Sequence, residues 1–253
     1  MNAPPIPSGR DKMKPELPTP MSDVLLHSCC APCSSAILEW LLKNGRKPTV
    51  FYFNPNIFPE AEYLLRKNEA KRWCEKLGVP FVDGDYDHDL WRRAVEGLEN
   101  EPERGRRCRV CFGVRMEATA QMAEKLGIPS FTTTLAGSRW KRLEQIREAA
   151  LEAAERHPGT SYWDMNWRKG GLQQRRGEII AEEGFYNQLW CGCEFSMGHL
   201  ATRDPMELPE HVRHLIPMRP PAAEAENAQE ECRPDDADQG STEPKPKCGA
   251  CGG

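Results

Sequence analysis

The sequence lacks any long apolar run. The chain has 253 residues and a mean hydropathy of −0.68, and no stretch approaches the roughly 20 apolar residues that a membrane-spanning helix needs. We therefore expect no membrane association. Residues 219–253 lack Ile, Leu, Val, Phe, Trp and Tyr altogether. Such a segment cannot offset the entropy cost of ordering it, so we expect a disordered acidic tail over 218–253.

A secretory signal is also missing. Residues 1–22 contain six prolines and nothing similar to the apolar core of a signal peptide. We expect a disordered, Pro-rich leader there and a cytoplasmic protein. The remaining body, 23–217, has the size of one domain. Its charge is balanced, because the eight acidic and four basic residues from Met218 to Gly253 account for the whole net charge of −4.

Apolar strands alternate with amphipathic helices along the body. This alternation predicts an α/β fold with a Rossmann-like (HUP-type) parallel sheet and flanking helices. In such folds the site lies at the carboxyl ends of the strands, where we expect a metal site. The predicted strands are 23–27, 48–53, 79–82 and 129–133, and the predicted helices are 34–44, 60–77, 112–126 and one starting near Arg142.

Cysteine is abundant, with eleven residues in the chain. In a reducing compartment, clustered cysteines indicate metal or redox chemistry rather than a disulfide framework. The first cluster holds Cys29, Cys30 and Cys33, between a predicted strand and a predicted helix. A helix N-terminus favours thiolates, which are the form that iron and zinc bind. A thioredoxin-type redox pair at Cys30 and Cys33 is the alternative, weakened by the extra Cys29.

The second cluster is Cys108 and Cys111, a C-x-x-C pair at the start of a helix. Together with Cys29 and Cys30 it supplies four thiolates from two distant stretches. That separation exceeds the roughly 15–20 residues between the knuckles of a zinc ribbon. It favours an iron–sulfur cluster, although four thiolates also suit zinc.

The third cluster is the C-x-C pair Cys191 and Cys193. A disulfide between them would close a small strained ring, which is readily reduced and suits a redox relay. Two further metal ligands or two inert thiols are the other interpretations. Cys74 lies within a helix and is expected in the core.

Basic residues alternate with tryptophan in two segments of the body. Lys and Arg neutralise phosphates, and Trp offers a face on which bases stack. Solvated surface charge beside core tryptophans is the alternative. The resulting candidates for RNA binding are Arg139, Lys141, Trp167, Arg168 and Lys169.

Several strings of the sequence, taken in order, resemble the cobalamin-independent epoxyqueuosine reductases, the QueH family. The resemblance covers about residues 23–200. It rests on Leu-Leu-His-Ser-Cys-Cys-Ala-Pro-Cys from Leu25, Tyr-Phe-Asn-Pro-Asn-Ile from Tyr52, Glu-Pro-Glu-Arg-Gly-Arg-Arg-Cys from Glu101, Phe-Thr-Thr-Thr-Leu from Phe131, Asn-Trp-Arg-Lys from Asn166, and Tyr-Asn-Gln-Leu-Trp-Cys-Gly-Cys from Tyr186.

The resemblance implies reduction of epoxyqueuosine to queuosine at the wobble position of tRNAs with GUN anticodons, those for Asp, Asn, His and Tyr. It implies a [4Fe–4S] cluster and no cobalamin, with an external electron donor of the ferredoxin or flavodoxin type. The implied cluster ligands are Cys29, Cys30, Cys108 and Cys111, and the implied redox-active pair is Cys191 and Cys193. A second metal, a mononuclear iron or zinc, is implied beside the cluster, with Cys33 as its candidate ligand.

Two other functions fit parts of the sequence. A cluster-dependent tRNA-thiolating enzyme of the ATP-pyrophosphatase type would combine a similar fold with a cluster. However, the chain has no Ser-Gly-Gly loop after its first strand, and Cys-Cys-Ala-Pro-Cys stands there instead. A non-catalytic zinc-binding RNA module is the second alternative.

Overall fold

The computed structural model describes residues 23–216. The leader predicted over 1–22 and the tail predicted over 218–253 lie outside the described residues. Within them, no helix combines the length and apolar character needed to traverse a lipid bilayer.

Five parallel strands form one sheet in the order β3-β2-β1-β4-β5. The predicted α/β fold with a parallel sheet is confirmed. The strands are β1 (Asp23–His27), β2 (Lys47–Tyr52), β3 (Phe81–Asp83), β4 (Ser130–Thr133) and β5 (Ser161–Tyr162). The chain runs outward from β1 on one side and continues from β4 on the other. The boundary between β1 and β4 is therefore a topological switch point, and parallel sheets have a crevice at the carboxyl ends of the two strands there.

Helices cover both faces of the sheet. They are α1 (Ala31–Lys43), α2 (Glu60–Leu77), α3 (His88–Ala94), α4 (Arg106–Lys125), α5 (Leu143–Arg156), α6 (Leu172–Glu183) and α7 (Glu210–Arg213). Alternate residues of β1 point to opposite faces. Val24 and Leu26 pack with α1, α2 and α6, whereas Leu25 packs with α4 and α5. Buried strands of this kind anchor the loops that follow their carboxyl ends.

Helix α4 begins six residues before the predicted start at Phe112. Glu101 explains the difference, because its carboxylate accepts the backbone N–H of Arg106 at 2.9 Å and so pairs one of the free donors of the first turn. Cys108 consequently lies in the first turn and Cys111 in the second. Strand β5 and helices α6 and α7 were not predicted.

Candidate metal and redox site

The loop from β1 into α1 gathers three thiols. Cys30 is the N-cap of α1, and Pro32 stands in its first turn, where a missing N–H costs nothing. The Sγ atoms of Cys29, Cys30 and Cys33 all lie within 4.8 Å of one another, and those of Cys29 and Cys30 are 3.8 Å apart. Three thiols this close can hold a metal centre.

Hydrogen-bond donors from two other elements point at these sulfurs. The Thr134 hydroxyl, just after β4, donates to Cys29 Sγ at 3.3 Å. The Gln188 amide donates to Cys30 Sγ at 3.1 Å, and its nitrogen lies 3.8 Å from Cys33 Sγ. Donors of this kind stabilise thiolate charge and orient metal ligands. These donors therefore favour the anionic thiolate form of the three cysteines.

The three thiols differ in acidity. Hydrogen bonds from Cys30 and Cys33 hold the pKa of Cys29 well below its usual value, with help from the charges of Lys141 and Arg115. Burial raises the pKa of Cys30. The hydrogen bond between Cys33 and Cys29 raises the pKa of Cys33 to about 11. The first proton is therefore lost from Cys29.

The pair on α4 faces the same cavity. Cys29, Cys33, Cys108 and Cys111 all line it, and Cys29 and Cys108 pack against one apolar cluster that includes Phe112. Burial raises the pKa of Cys108 to about 11 and also raises that of Cys111. Among the described residues, the thiols whose Sγ atoms all lie within 4.8 Å of one another are those of Cys29, Cys30 and Cys33. Cys108 and Cys111 do not belong to this group.

Cys191 and Cys193 line this cavity as well, and both are free thiols. Cys191 is exposed, and Cys193 is buried. The hydrogen bond from Cys193 lowers the pKa of Cys191 and raises that of Cys193. An accessible thiol with a lowered pKa beside a buried thiol with a raised pKa is the arrangement in which disulfide exchange starts at one defined sulfur.

The backbone between these two thiols requires glycine. Gly192 has φ of 105°, and a Cβ there would lie 2.8 Å from the Ile57 side chain. Its carbonyl accepts the N–H of Phe58 at 2.9 Å. The 191–193 loop is thus pressed against the segment that follows β2.

A buried ion pair fixes the same loop from α2. Arg66 donates to the carbonyl oxygens of Trp190 and Cys191, both at 3.3 Å, and its guanidinium lies 5.1 Å from the Trp190 ring centroid. Glu62 pairs with Arg66 at 2.6 Å and also accepts from the Tyr186 hydroxyl at 3.1 Å. Both charged side chains are buried, so their hydrogen bonds offset the cost of desolvating them.

A second buried network lies beneath the triad. Neutral His27 donates from Nε2 to the Phe53 carbonyl at 3.0 Å, which leaves Nδ1 to accept from the Thr133 hydroxyl at 2.9 Å. Burial, with the charge of Arg115, lowers the pKa of His27 to about 3. Arg115 donates to Asn54 Oδ1 at 2.5 Å, and Asn54 donates to the Ser28 carbonyl at 2.9 Å. His27 therefore serves as a structural residue that joins three strand ends.

The cavity has a volume of about 1010 Å³ and is strongly cationic. Nine Lys or Arg residues line it, against Glu103 as the sole carboxylate among its lining residues. The cations are Arg66, Arg104, Arg107, Arg115, Arg139, Lys141, Arg168, Arg176 and Arg203.

The candidates for RNA binding separate into two groups. Arg139 and Lys141 line the cavity, and Lys169 is exposed. Arg168 uses its Nη2 to bind the Ser138 and Lys141 carbonyls at 2.5 and 2.6 Å, so it holds the turn rather than offering a free cation. The prediction of Trp167 as a stacking residue is wrong. Trp167 is 1% exposed, and its ring packs edge-on against Trp40 and Trp163.

Three residues of this site were not among the candidates from the sequence: Arg66, Arg115 and Gln188. Arg115 had a usable signal, because it lies four residues after Cys111 and so on the same face of α4. Gln188 lies within the string from Tyr186 to Cys193. Arg66 carried no sequence signal that separates it from a surface residue.

Comparisons with known proteins identify the family of this chain. Residues 24–199 match the model of the family described as epoxyqueuosine reductase QueH. The chain is 49% identical to the epoxyqueuosine reductase QueH of Histophilus somni, covering 73% of this chain and 76% of that one. It is 48% identical to that of Haemophilus influenzae, over 74% and 76%, and 46% identical to that of Acinetobacter baylyi, over 74% and 86%.

Among solved structures, a predicted subunit of tRNA methyltransferase from Methanocaldococcus jannaschii matches with a TM-score of 0.44 and 14% identity, over 67% of this chain and 94% of that one. The family model spans the sheet and all three cysteine clusters, and the relatives match most of their own length. The chain therefore belongs to the QueH family of epoxyqueuosine reductases.

Proposed function

We propose that this chain reduces epoxyqueuosine in tRNA to queuosine, at the wobble position of GUN anticodons. One observation carries the proposal: six cysteines and nine cations line a single cavity beside one carboxylate. A cationic cavity attracts a polyanion such as RNA. Its volume of about 1010 Å³ is sufficient for a modified nucleoside. The reaction itself is the one for which the similar proteins are named, the reduction of epoxyqueuosine.

Opening an epoxide to an alkene consumes two electrons and two protons and releases one water. The Cys191 and Cys193 dithiol can supply this balance, because closing one disulfide releases two protons and two electrons. The exposed Cys191 is accessible from the cavity, and Cys193 lies buried behind it. Each turnover would then require an external reductant to reopen the disulfide, a ferredoxin or flavodoxin type of protein.

The thiols of the other two clusters fit a metal cofactor. We assign Cys29, Cys30, Cys108 and Cys111 as the residues that would hold a [4Fe–4S] cluster, and Cys33 as the ligand for an adjacent mononuclear iron or zinc. The donor set is soft sulfur, which these metals prefer. Such a cluster would supply electron transfer between the donor protein and the site. Free thiols and a tRNA substrate both suit the reducing cytoplasm.

One interatomic distance favours the alternative of a zinc module. A tetrahedral ion with metal–sulfur bonds of about 2.3 Å separates its thiolates by about 3.8 Å, and the Sγ atoms of Cys29 and Cys30 are 3.8 Å apart. A mononuclear centre on the triad would therefore need little rearrangement. Metal analysis distinguishes the two, because a cluster contains iron and acid-labile sulfide.

The decisive experiment combines anaerobic iron, sulfide and zinc analysis with turnover of epoxyqueuosine-containing tRNA, followed by nucleoside mass spectrometry. We expect iron with sulfide, and queuosine formed only with a reductant. Cys108→Ala should lose iron and sulfide, whereas Cys74→Ala, which removes a buried thiol of α2 away from the cavity, should retain both. A colourless zinc protein that leaves epoxyqueuosine unchanged would overturn the proposal.

A further inference from the structure

An exposed tryptophan stands at the rim of the cationic cavity. Trp140 is 65% exposed, whereas the other six tryptophans are buried or half-buried. It lines the cavity together with Arg139 and Lys141. An indole left in water forgoes the large apolar burial that its size allows. Its position beside the site therefore indicates a surface that a binding partner covers.

The turn that carries Trp140 is fixed by side-chain contacts to its backbone. Arg104 Nε donates to the Trp140 carbonyl at 2.9 Å, and Arg168 holds the carbonyls on either side, those of Ser138 and Lys141. The Arg139 guanidinium lies 5.0 Å from the Trp140 ring centroid. The ring is thus presented on an ordered backbone with a cation against it.

This turn also adjoins the thiols. Lys141, the residue next to Trp140, lines the same cavity as Cys29 and Cys191. A nucleotide inserted among the thiols would leave its chain neighbours at the rim. The phosphates on both sides would meet the rim cations Arg104 and Arg139, and an unpaired neighbouring base would meet the indole.

We propose that Trp140 is a stacking platform for an unpaired nucleobase of the RNA, adjacent to the nucleotide that enters the cavity. This inference rests on the proposed function. Loops of RNA are recognised through splayed bases that stack on aromatic side chains while Lys and Arg contact the backbone. The nine cations and one carboxylate that line the cavity would attract an acidic protein as well as RNA. The exposed indole beside them favours RNA, because a nucleobase can stack on it.

The first test measures affinity of the full-length, anaerobically purified protein for a labelled RNA hairpin with a GUN anticodon loop. Loss of base stacking should weaken Trp140→Leu binding about 5- to 100-fold. Trp140→Phe retains an aromatic face and should bind within about threefold of wild type. Met206→Ala is the matched control, because Met206 is 78% exposed and does not line the cavity. Equal affinity of Trp140→Leu and wild type would overturn the proposal.

The second test follows the indole itself. Trp140 should account for the tryptophan fluorescence most accessible to acrylamide, and that component should be missing in Trp140→Phe. Adding the hairpin should protect it, and duplex RNA of equal length should protect it less, because duplex bases are unavailable for stacking. Protection by an acidic electron-transfer protein with none by the hairpin would instead identify the rim as a donor-docking surface.

Failure of this inference is distinguishable from failure of the proposed reaction. Both tests use unmodified RNA and need no turnover. If wild type fails to reduce epoxyqueuosine but the hairpin protects Trp140, the stacking platform stands and the reductase assignment falls. If wild type forms queuosine while Trp140→Leu binds and reacts normally, the platform falls alone.

Discussion

Local environment, rather than residue type, separates the cysteines of this protein. Cys74 is buried in the apolar core between α2 and the sheet, and burial raises its pKa to about 12. Cys29 accepts hydrogen bonds and faces Lys141 and Arg115, which lower its pKa. Cys191 is exposed in the cavity with a lowered pKa. We therefore expect Cys74 to be inert and propose Cys29 and Cys191 as thiols that react or bind a metal.

Cys191→Ser tests the relay at the residue scale. A serine hydroxyl cannot form a disulfide, so the variant lacks the two-electron source and we expect no queuosine above background where wild type turns over many times. Cys74→Ala should turn over as wild type does. Product counted by nucleoside mass spectrometry gives the answer, and undiminished multiple turnover by Cys191→Ser would eliminate the dithiol relay.

Arg66→Lys tests whether the buried arginine sets the properties of this dithiol. Lysine keeps the charge but cannot form the planar fork that binds two successive carbonyls. Because those bonds hold the loop with both thiols free, their loss should favour the disulfide. We expect the midpoint potential of Cys191 and Cys193 to fall by about 30 mV, which equals about 1.4 kcal/mol for two electrons.

The potential is measured by alkylation and mass spectrometry in redox buffers. Arg72→Lys is the matched control, since Arg72 also lies on α2 but binds Glu183 away from the cavity. A merely structural role for Arg66 would lower stability in Arg66→Lys and leave the potential unchanged.

At the scale of elements, the ends of helices decide where the functional side chains lie. Asp87 caps α3, accepting the Leu90 N–H at 2.8 Å, and Trp91 of this helix packs with Cys111 and Cys193. The early start of α4 places both of its cysteines in the first two turns. Strand β5 escaped prediction because Ser161 and Tyr162 form too short a pattern, and α6 because it buries only Ile179.

His157 provides a pH test of how α4 joins the end of α5. Hydrogen bonds to Glu124 and Glu117 raise the pKa of His157 above its ordinary value of 6.5. A group whose pKa is higher in the folded than in the unfolded state stabilises the fold at pH values below its unfolded-state pKa. This contribution is lost as the pH rises through its folded-state pKa. His157→Gln should therefore lose more stability at about pH 5.5 than at about pH 9.

Urea unfolding at the two pH values measures this difference. Glu155→Gln is a suitable control, since Glu155 is an exposed residue of the same helix end. An equal loss by His157→Gln at both pH values would show that the protonated form of His157 contributes nothing to stability.

At the scale of the whole molecule, the charge that lines the cavity is opposite in sign to the net charge of the chain. The chain has a net charge of −4, yet nine cations and one carboxylate line the cavity. A cavity with low-dielectric walls focuses such a field and draws in a polyanion. The composition alone would have suggested a protein without affinity for RNA.

The salt dependence of tRNA binding tests this field. Each phosphate contact adds about 0.9 to the slope of log affinity against log salt for a duplex and about 0.7 for a single strand. Arg139→Ala should therefore lower the slope by about 0.7. Arg93→Ala removes the same charge from an exposed position of α3 outside the cavity and should leave the slope unchanged. Salt-insensitive wild-type binding would contradict an electrostatic RNA site.

The sequence by itself determined the parallel α/β fold, the family and the three cysteine clusters, because these are written in local patterns: alternating apolar periods and short spacings between ligands. Only the tertiary structure decided which tryptophan is available and which arginines face the cavity. Trp140 and Trp167 have similar basic neighbours, yet one is 65% and the other 1% exposed. Burial and charge environment arise from segments distant in the chain, such as Arg66 against 190–191, and no local pattern encodes such contacts.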